Sequence, residues 1–280
     1  MVKGKVVTAD TAQKIVVIAL HLDKSFRSKE LEKGLKSMEE EVIFFQGFDA
    51  RSNNIPAEWL RVHLSKFLYG RSLTPGEVAC AFGHSAIINS VVGRDLDWVL
   101  IVEDNIKFSG VKEVIKFLKS VDSNSSALIN FFSDSKYNLV TSRFACGEFI
   151  LQETKSLPTL AKCYSLNKIA ISEIAKAYAD FGFAGFQADF PLFYLLHTKF
   201  YTCEKTPIVL EETPSLIGDR SGLVLNSELA KVWHGLMFLI WSKDISFIFR
   251  LRILKLGVLQ KFVRRFVLKA TGGNLPSGYN

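Results

Sequence analysis

Short apolar runs alternate with amphipathic stretches along this chain, and the alternation predicts a series of strands and helices. Ile15 to Leu20 is continuously apolar, as a strand buried on both faces requires. Leu31, Leu35 and Met38 follow at helical spacing, and Val42 to Phe45 makes a second apolar run, so this stretch reads as a βαβ unit. Thr74-Pro75-Gly76-Glu77 then has the form of a capping box, with the Thr74 hydroxyl taking the Glu77 amide and Glu77 reaching back. That start sets the register of a helix in which Glu77, Cys80, His84 and Ile87 or Ile88 share one face, while Val78, Phe82, Ser85 and Val92 follow an adjacent stripe.

The next strand, Trp98 to Val102, runs straight into Glu103, Asp104 and Asn105. A helix near Val111 to Lys119 and a strand at Ala127 to Phe132 extend the alternation. Shorter strands are expected from Arg143, with helices over Lys168 to Asp180, closed by Gly182, and around Phe190 to His197. The fold class implied is α/β with a mostly parallel central sheet. In such sheets ligands bind beyond the carboxyl ends of the strands, so the acidic triplet after Val102 is placed to hold a metal or a polar substrate. His84 has two readings at this point, a packed core histidine or a site residue beside the triplet. Asp49, after the second strand, either forms a turn or hydrogen-bonds a ribose or base.

LTPGEVACAFGHS, followed about twenty residues later by VLIVEDN, resembles glycosyltransferase family 25, the bacterial lipopolysaccharide and lipooligosaccharide glycosyltransferases. That family's pattern runs L-[ST]-x-G-E-[IV]-[GA]-C-x-x-S-H and later a strand ending E-D-D. Softer likenesses lie at Lys14 to Leu20, Phe48-Asp49-Ala50, Cys163 to Ala170 and Asp189, so the resemblance spans residues 14 to 217. It implies a GT-A-like nucleotide-sugar-binding fold and inverting transfer of a sugar, galactose from UDP-galactose, to a lipopolysaccharide, lipooligosaccharide or other cell-surface glycan acceptor. Glu103 and Asp104 would then hold the nucleotide-sugar diphosphate, with Asp49 on the nucleoside. Glu103, Asp104 and Asn105 would bind Mn²⁺ or Mg²⁺, and His84 and Asp189 would be the catalytic candidates. Asp189 would serve as the base that deprotonates the acceptor hydroxyl; its other reading is a cap for the helix beginning near Pro191. The chain departs from the pattern at Asn105, which removes one formal negative charge from a cation site. It departs again in the turn after the first strand, where Lys24 and Arg27 are the nearest candidates for an expected Arg.

Composition adds a location to this chemistry. With 280 residues, 48% of them apolar and 22% charged, the chain suits one large core with an appended segment. We expect a catalytic domain over 1–227 and a helical basic tail over 228–280. Past Asp244 no acidic residue occurs, while Arg250, Arg252, Lys255, Lys261, Arg264, Arg265 and Lys269 match the whole net charge of +7. Leu259, Phe262, Val263, Phe266 and Val267 fall opposite Lys261, Arg264, Arg265 and Lys269 on a helix, the signature of an element lying on an anionic membrane surface. The competing readings are an ordinary core helix with a solvated basic face and a nucleic-acid contact, and no nucleic-acid motif accompanies the latter.

The four cysteines form no C-x-x-C pair, and residues 1–14 contain no apolar stretch of signal-sequence length. A cytoplasmic enzyme, peripheral on the inner face of the membrane, is the expectation. Neither G-x-G-x-x-G, a Walker sequence, G-x-S-x-G nor H-E-x-x-H is present, which disfavours dehydrogenase, kinase and hydrolase chemistry. The competing class is a protein that keeps the fold without turnover, serving as a sugar-nucleotide binder or membrane scaffold.

Overall fold

The computed structural model describes residues 13–22, 27–60, 62–132, 140–146, 148–154, 161–181, 198–211 and 228–241, with isolated positions beyond. Strands β1 (Ile15–His21), β2 (Glu41–Gln46), β3 (Trp98–Glu103), β4 (Ala127–Asn130), β5 (Val140–Cys146), β6 (Phe149–Thr154), β7 (Cys163–Asn167) and β8 (Lys199–Cys203) form one sheet in the order β2-β1-β3-β7-β4-β8-β6-β5. The helices are α1 (Lys29–Lys36), α2 (Val62–Tyr69), α3 (Pro75–Val91), α4 (Phe108–Leu118), α5 (Lys168–Phe181) and α6 (Glu228–Trp241).

The βαβ unit forms as the apolar pattern predicts, with β1 parallel to both β2 and β3. The expectation of a mostly parallel sheet is corrected further along. β7 lies antiparallel between β3 and β4, β4 and β8 pair in parallel, and β6 and β5 complete the sheet antiparallel. All five residues of β7 are buried, as are all four of β4. An apolar run records that helices cover both faces of a strand; it carries no information about strand direction, and that is why the sequence pattern misled.

Alternation along β1 divides the core into two layers. Val16, Ile18 and Leu20 join Val99 and Ile101 against Ile87, Ile88 and Val91 of α3 and Ile171 and Ile174 of α5. Ile15, Val17 and Ala19 face the other way, with Trp98, Leu100 and Val102, onto Leu31 and Leu35 of α1 and Val111, Val114 and Leu118 of α4. Each fully buried side chain of this size contributes about 1.5–3 kcal/mol of transfer free energy, so the two layers fix which faces the helices cover.

The start of α3 is the capping box read from the sequence, with one partner the sequence did not disclose. Thr74 Oγ1 accepts from the Glu77 amide at 3.2 Å and Glu77 Oε2 accepts from the Thr74 amide at 2.9 Å. Arg71 places its guanidinium on both Glu77 oxygens, at 2.7 and 2.6 Å, and both side chains are buried.

Between β2 and α3 lie a 3₁₀ turn at Ala57–Trp59 and the helix α2. His63 and Lys66 interrupt the apolar pattern there, and α2 is recognisable only by what packs on it, which is α6. Gly235 lies so close to the Phe67 ring that a Cβ would sit 2.9 Å from it, Phe238 is buried, and His234 Nδ1 lies 2.9 Å from His63 Nδ1. The first helix of the segment expected as a tail is therefore docked on the domain. The helix expected near Phe190 to His197, Asp189 and the amphipathic stretch from Leu259 lie outside the described residues.

Helix α4 approaches the backbone at 207–208 so closely that a Cβ on Gly110 would fall 2.5 Å from the Pro207 carbonyl oxygen. Gly110→Ala is expected to destabilise the protein by about 1–3 kcal/mol despite the better helix propensity of alanine, because backbone rather than a side-chain tip must move. The shift in urea midpoint at unchanged m-value measures this.

Candidate active site

The carboxyl end of β3 turns from apolar to acidic within one residue, and the surrounding elements converge on it. The Glu103 amide donates to the Lys162 carbonyl at 2.9 Å, and the Asp104 carbonyl accepts from the Ser28 amide, also at 2.9 Å, where α1 begins. Ser28 caps α1 through the Leu31 amide at 3.1 Å and donates to Glu211 Oε1 at 2.6 Å. The Glu211 amide in turn donates to the Asn105 carbonyl at 2.8 Å. The triplet is thus tied to the start of α1, to the turn before β7 and to the segment around Glu211.

Two cations meet its two carboxylates. Lys162 Nζ donates to Glu103 Oε2 at 2.5 Å, and Arg27 donates from Nε at 2.6 Å to Asp104 Oδ1, with its terminal nitrogen 4.0 Å from Glu103. Asp104 is 2% exposed, so Arg27 is what allows its charge to stay inside. Of the two basic residues nearest the first turn, Arg27 reaches the triplet; Lys24 lies outside the described residues. Lys162 was missed by sequence reading, because its proximity follows from the antiparallel placement of β7.

Asp104 Oδ2 and Asn105 Oδ1 are buried oxygen acceptors without hydrogen-bond partners among the described residues. Buried acceptors left unsatisfied cost about 1–3 kcal/mol each, and hard oxygen donors of this kind suit Mg²⁺ or Mn²⁺. The residues present therefore fit the divalent cation that the family resemblance implies, with Arg27 and Lys162 already neutralising two carboxylates.

His84 sits behind the triplet. It is 1% exposed, its Nδ1 lies 2.8 Å from the Tyr164 hydroxyl, and its Nε2 has no partner among the described residues. Burial pulls its pKa down from 6.5 to about 4; the Glu103 carboxylate opposes that shift and Lys162 adds to it. The imidazole is neutral at physiological pH. Burial also pushes the Tyr164 phenol well above its ordinary 10, so the hydroxyl keeps its proton.

A cavity of about 390 Å³ opens on the same rim, lined by Leu22, Gln46, Gly47, Phe48, Asp49, Ser52 and Asn53. Strand register places it beside the triplet's strand, since Leu20 pairs with Glu103 and His21 with Gln46. The triplet itself is not part of that lining. Asp49 accepts from the Arg51 amide at 2.9 Å and from its guanidinium at 2.9 and 2.7 Å, and these bonds hold its carboxyl below the usual range. It shapes the turn and faces the cavity at once. Phe48 belongs to an aromatic cluster with Trp59 and Phe82, whose rings stack 4.4 Å apart. Asp189 lies outside the described residues, so the structure brings together Glu103, Asp104, Asn105 and His84, with Asp49 along the rim.

The buried histidine generates a pH dependence. The unfolded chain takes up this proton near pH 6.5 and the folded chain only near pH 4, so the unfolded state binds more protons between those values and stability falls as pH is lowered. The loss expected is about 3 kcal/mol across the window, present in chelator-treated wild type and absent from His84→Gln. Urea denaturation at pH 7 and pH 4 compares the two.

No curated protein matches the chain. The sequence model of Glycosyltransferase family 25 (LPS biosynthesis protein) matches residues 12–176, which takes in β1, the capped helix, the acidic triplet, Lys162 and most of α5 but stops short of Asp189. With more than half of its length covered and the acidic strand end set among basic side chains, the chain belongs to glycosyltransferase family 25 and is a glycosyltransferase of lipopolysaccharide biosynthesis.

Proposed function

We propose that this protein transfers a hexose, galactose from UDP-galactose, with inversion onto a lipopolysaccharide, lipooligosaccharide or related surface-glycan acceptor at the cytoplasmic face of the membrane. The observation that carries the reading is the family match joined to the paired charges at the end of β3. In this reading the fold is GT-A-like, and the nucleoside occupies the cavity at the ends of β1 and β2 between Phe48 and Asp49. The diphosphate lies along the rim toward Arg27 and Lys162.

Breaking the anomeric carbon–phosphate bond moves negative charge onto the leaving diphosphate oxygen, and fixed cations aimed at that oxygen lower the barrier. A divalent cation held by Asp104 and Asn105, with Glu103 alongside, would add Lewis-acid stabilisation of the same charge. Arg27 orients Asp104 and adds positive charge beside the diphosphate. Lys162 neutralises Glu103 so that an anionic donor can approach. His84, buried and neutral, acts through Glu103 and Tyr164 as a positioning residue. Asp189 is the proposed base, on sequence grounds alone.

Membrane association is proposed through the basic C-terminal stretch together with α6. Leu229, Val232, Trp233, Leu236 and Ile240 recur at helical spacing on α6 and are 48% to 82% exposed, an apolar stripe of the kind that enters a headgroup layer. Among the described residues no helix is long and apolar enough to cross a membrane.

Release of nucleoside diphosphate from a panel of sugar nucleotides, with and without Mn²⁺ or Mg²⁺, tests the reading. UDP-galactose with a lipooligosaccharide acceptor is expected to turn over, and the absence of release from any donor would favour a sugar-nucleotide binder or membrane scaffold. Arg27→Gln is expected to lower kcat by roughly 10²-fold or more, as loss of a transition-state charge partner does. Phe48→Ala and Asp49→Asn should instead raise the donor KM by about tenfold with kcat little changed, because they remove binding common to ground and transition states. In sedimentation with vesicles containing anionic lipid, replacing Lys261, Arg264, Arg265 and Lys269 by Gln should weaken binding by roughly fivefold per charge.

A further inference from the structure

A softer set of ligands lies behind the hard oxygens of the triplet. Cys80 and His84 stand one helical turn apart on α3, and Glu103 ends the strand beside them. The Cys80 thiol, the His84 imidazole and a Glu103 carboxylate oxygen all lie within 4.8 Å of one another. Residues four apart on a helix present their side chains to one point, the spacing by which paired helical ligands grip a metal. Bonds of about 2.0–2.3 Å put tetrahedral ligand atoms roughly 3.3–3.8 Å apart, so the cluster needs to contract by at most about 1.5 Å to close on an ion.

The histidine supplies an independent indication. Its Nε2 is buried without a partner among the described residues, while its Nδ1 is engaged by the Tyr164 hydroxyl. If Nδ1–H donates to the Tyr164 oxygen, the lone pair resides on Nε2; a ring held from one nitrogen and aimed with the other is how metal-ligating histidines are oriented. Among the described residues nothing else answers that nitrogen. Cys80 and Glu103 are each partly exposed whereas His84 is buried, so an ion would reach the imidazole past the other two ligands.

We propose that Cys80, His84 and Glu103 form a binding site for a thiophilic divalent cation, Zn²⁺, separate from the oxygen ligands Asp104 and Asn105 and sharing the Glu103 carboxylate with the sugar-nucleotide rim. The ligand set, one thiolate, one imidazole and one carboxylate with a fourth position open, matches Zn²⁺ and disfavours Mg²⁺, which takes oxygen donors in octahedral array. Binding releases the thiol proton to solvent and ties α3 to the end of β3. It also engages the Glu103 carboxylate, whose Oε2 bonds Lys162, so the ion and the lysine compete for one carboxylate. The site rests on the α3–β3 geometry, and its occupancy does not require sugar transfer.

The test uses the full chain, stripped with chelator, desalted and titrated anaerobically with Co²⁺ as a spectroscopic stand-in. A thiolate-to-cobalt charge-transfer band in the near ultraviolet is expected, saturating at one equivalent, displaced by Zn²⁺ and untouched by Mg²⁺. Cys80→Ser should abolish the band, and His84→Gln and Glu103→Gln should weaken Co²⁺ binding by at least roughly tenfold. In wild type, Zn²⁺ should protect Cys80 from alkylation, mapped by mass spectrometry, which reads the site without relying on a variant that must fold. A wild-type protein with no such band, a band that survives in folded Cys80→Ser, or Cys80 labelling unchanged by Zn²⁺ would each overturn the proposal. Because no arm measures turnover, its failure would leave the glycosyl-transfer reading untouched.

Discussion

Charge neutralisation at the end of β3 is the constraint on which the rest of the site depends. Five consecutive residues, Trp98 to Val102, are wholly buried, and the next two are acids. A carboxylate carried that far into a low-dielectric interior is tolerated only with a cation against it, since an unpaired buried charge costs several kcal/mol. Arg27 answers Asp104 and Lys162 answers Glu103. Each comes from a different direction, Arg27 from the approach to α1 and Lys162 from the turn before β7.

The sheet topology follows a logic tied to those pairs. A parallel neighbour of β3 would finish at the same rim as β3 itself. An antiparallel neighbour instead begins there, so the residue just before it lands beside the acidic end. Val102 pairs with Cys163, and Lys162 is therefore next to Glu103. The antiparallel insertion of β7 is what converts an acidic strand end into a balanced site, while the parallel β1 and β2 leave their own ends open as a cavity.

Glu103 occupies the junction between two chemistries. On one side lie the buried oxygens of Asp104 and Asn105, hard acceptors suited to a cation beside a diphosphate. On the other lie the Cys80 thiol and the His84 imidazole, softer ligands held by a helix whose start is locked by Thr74, Glu77 and Arg71. The rigidity of that start matters because it helps fix the azimuth at which Cys80 and His84 meet β3.

Local rules carried in the chain itself determined a good deal. The capping box declares the start of α3, because Thr74, Pro75 and Glu77 act within four residues of each other. The both-face burial of β1 and β3, the acidic strand end and the helical face shared by Cys80 and His84 are likewise periodicity and spacing. The family resemblance was legible in the same segments. Tertiary structure alone decided the direction of β7, the partners Arg27, Lys162, Arg71 and Tyr164, and the docking of α6 on α2. These are contacts between residues 6 to 171 positions apart, as with Arg71 and Glu77 at one extreme and His63 and His234 at the other. Hydrophobic pattern encodes which face of an element is buried; the neighbour that buries it, and the sense in which that neighbour runs, are set by the packing of the whole chain.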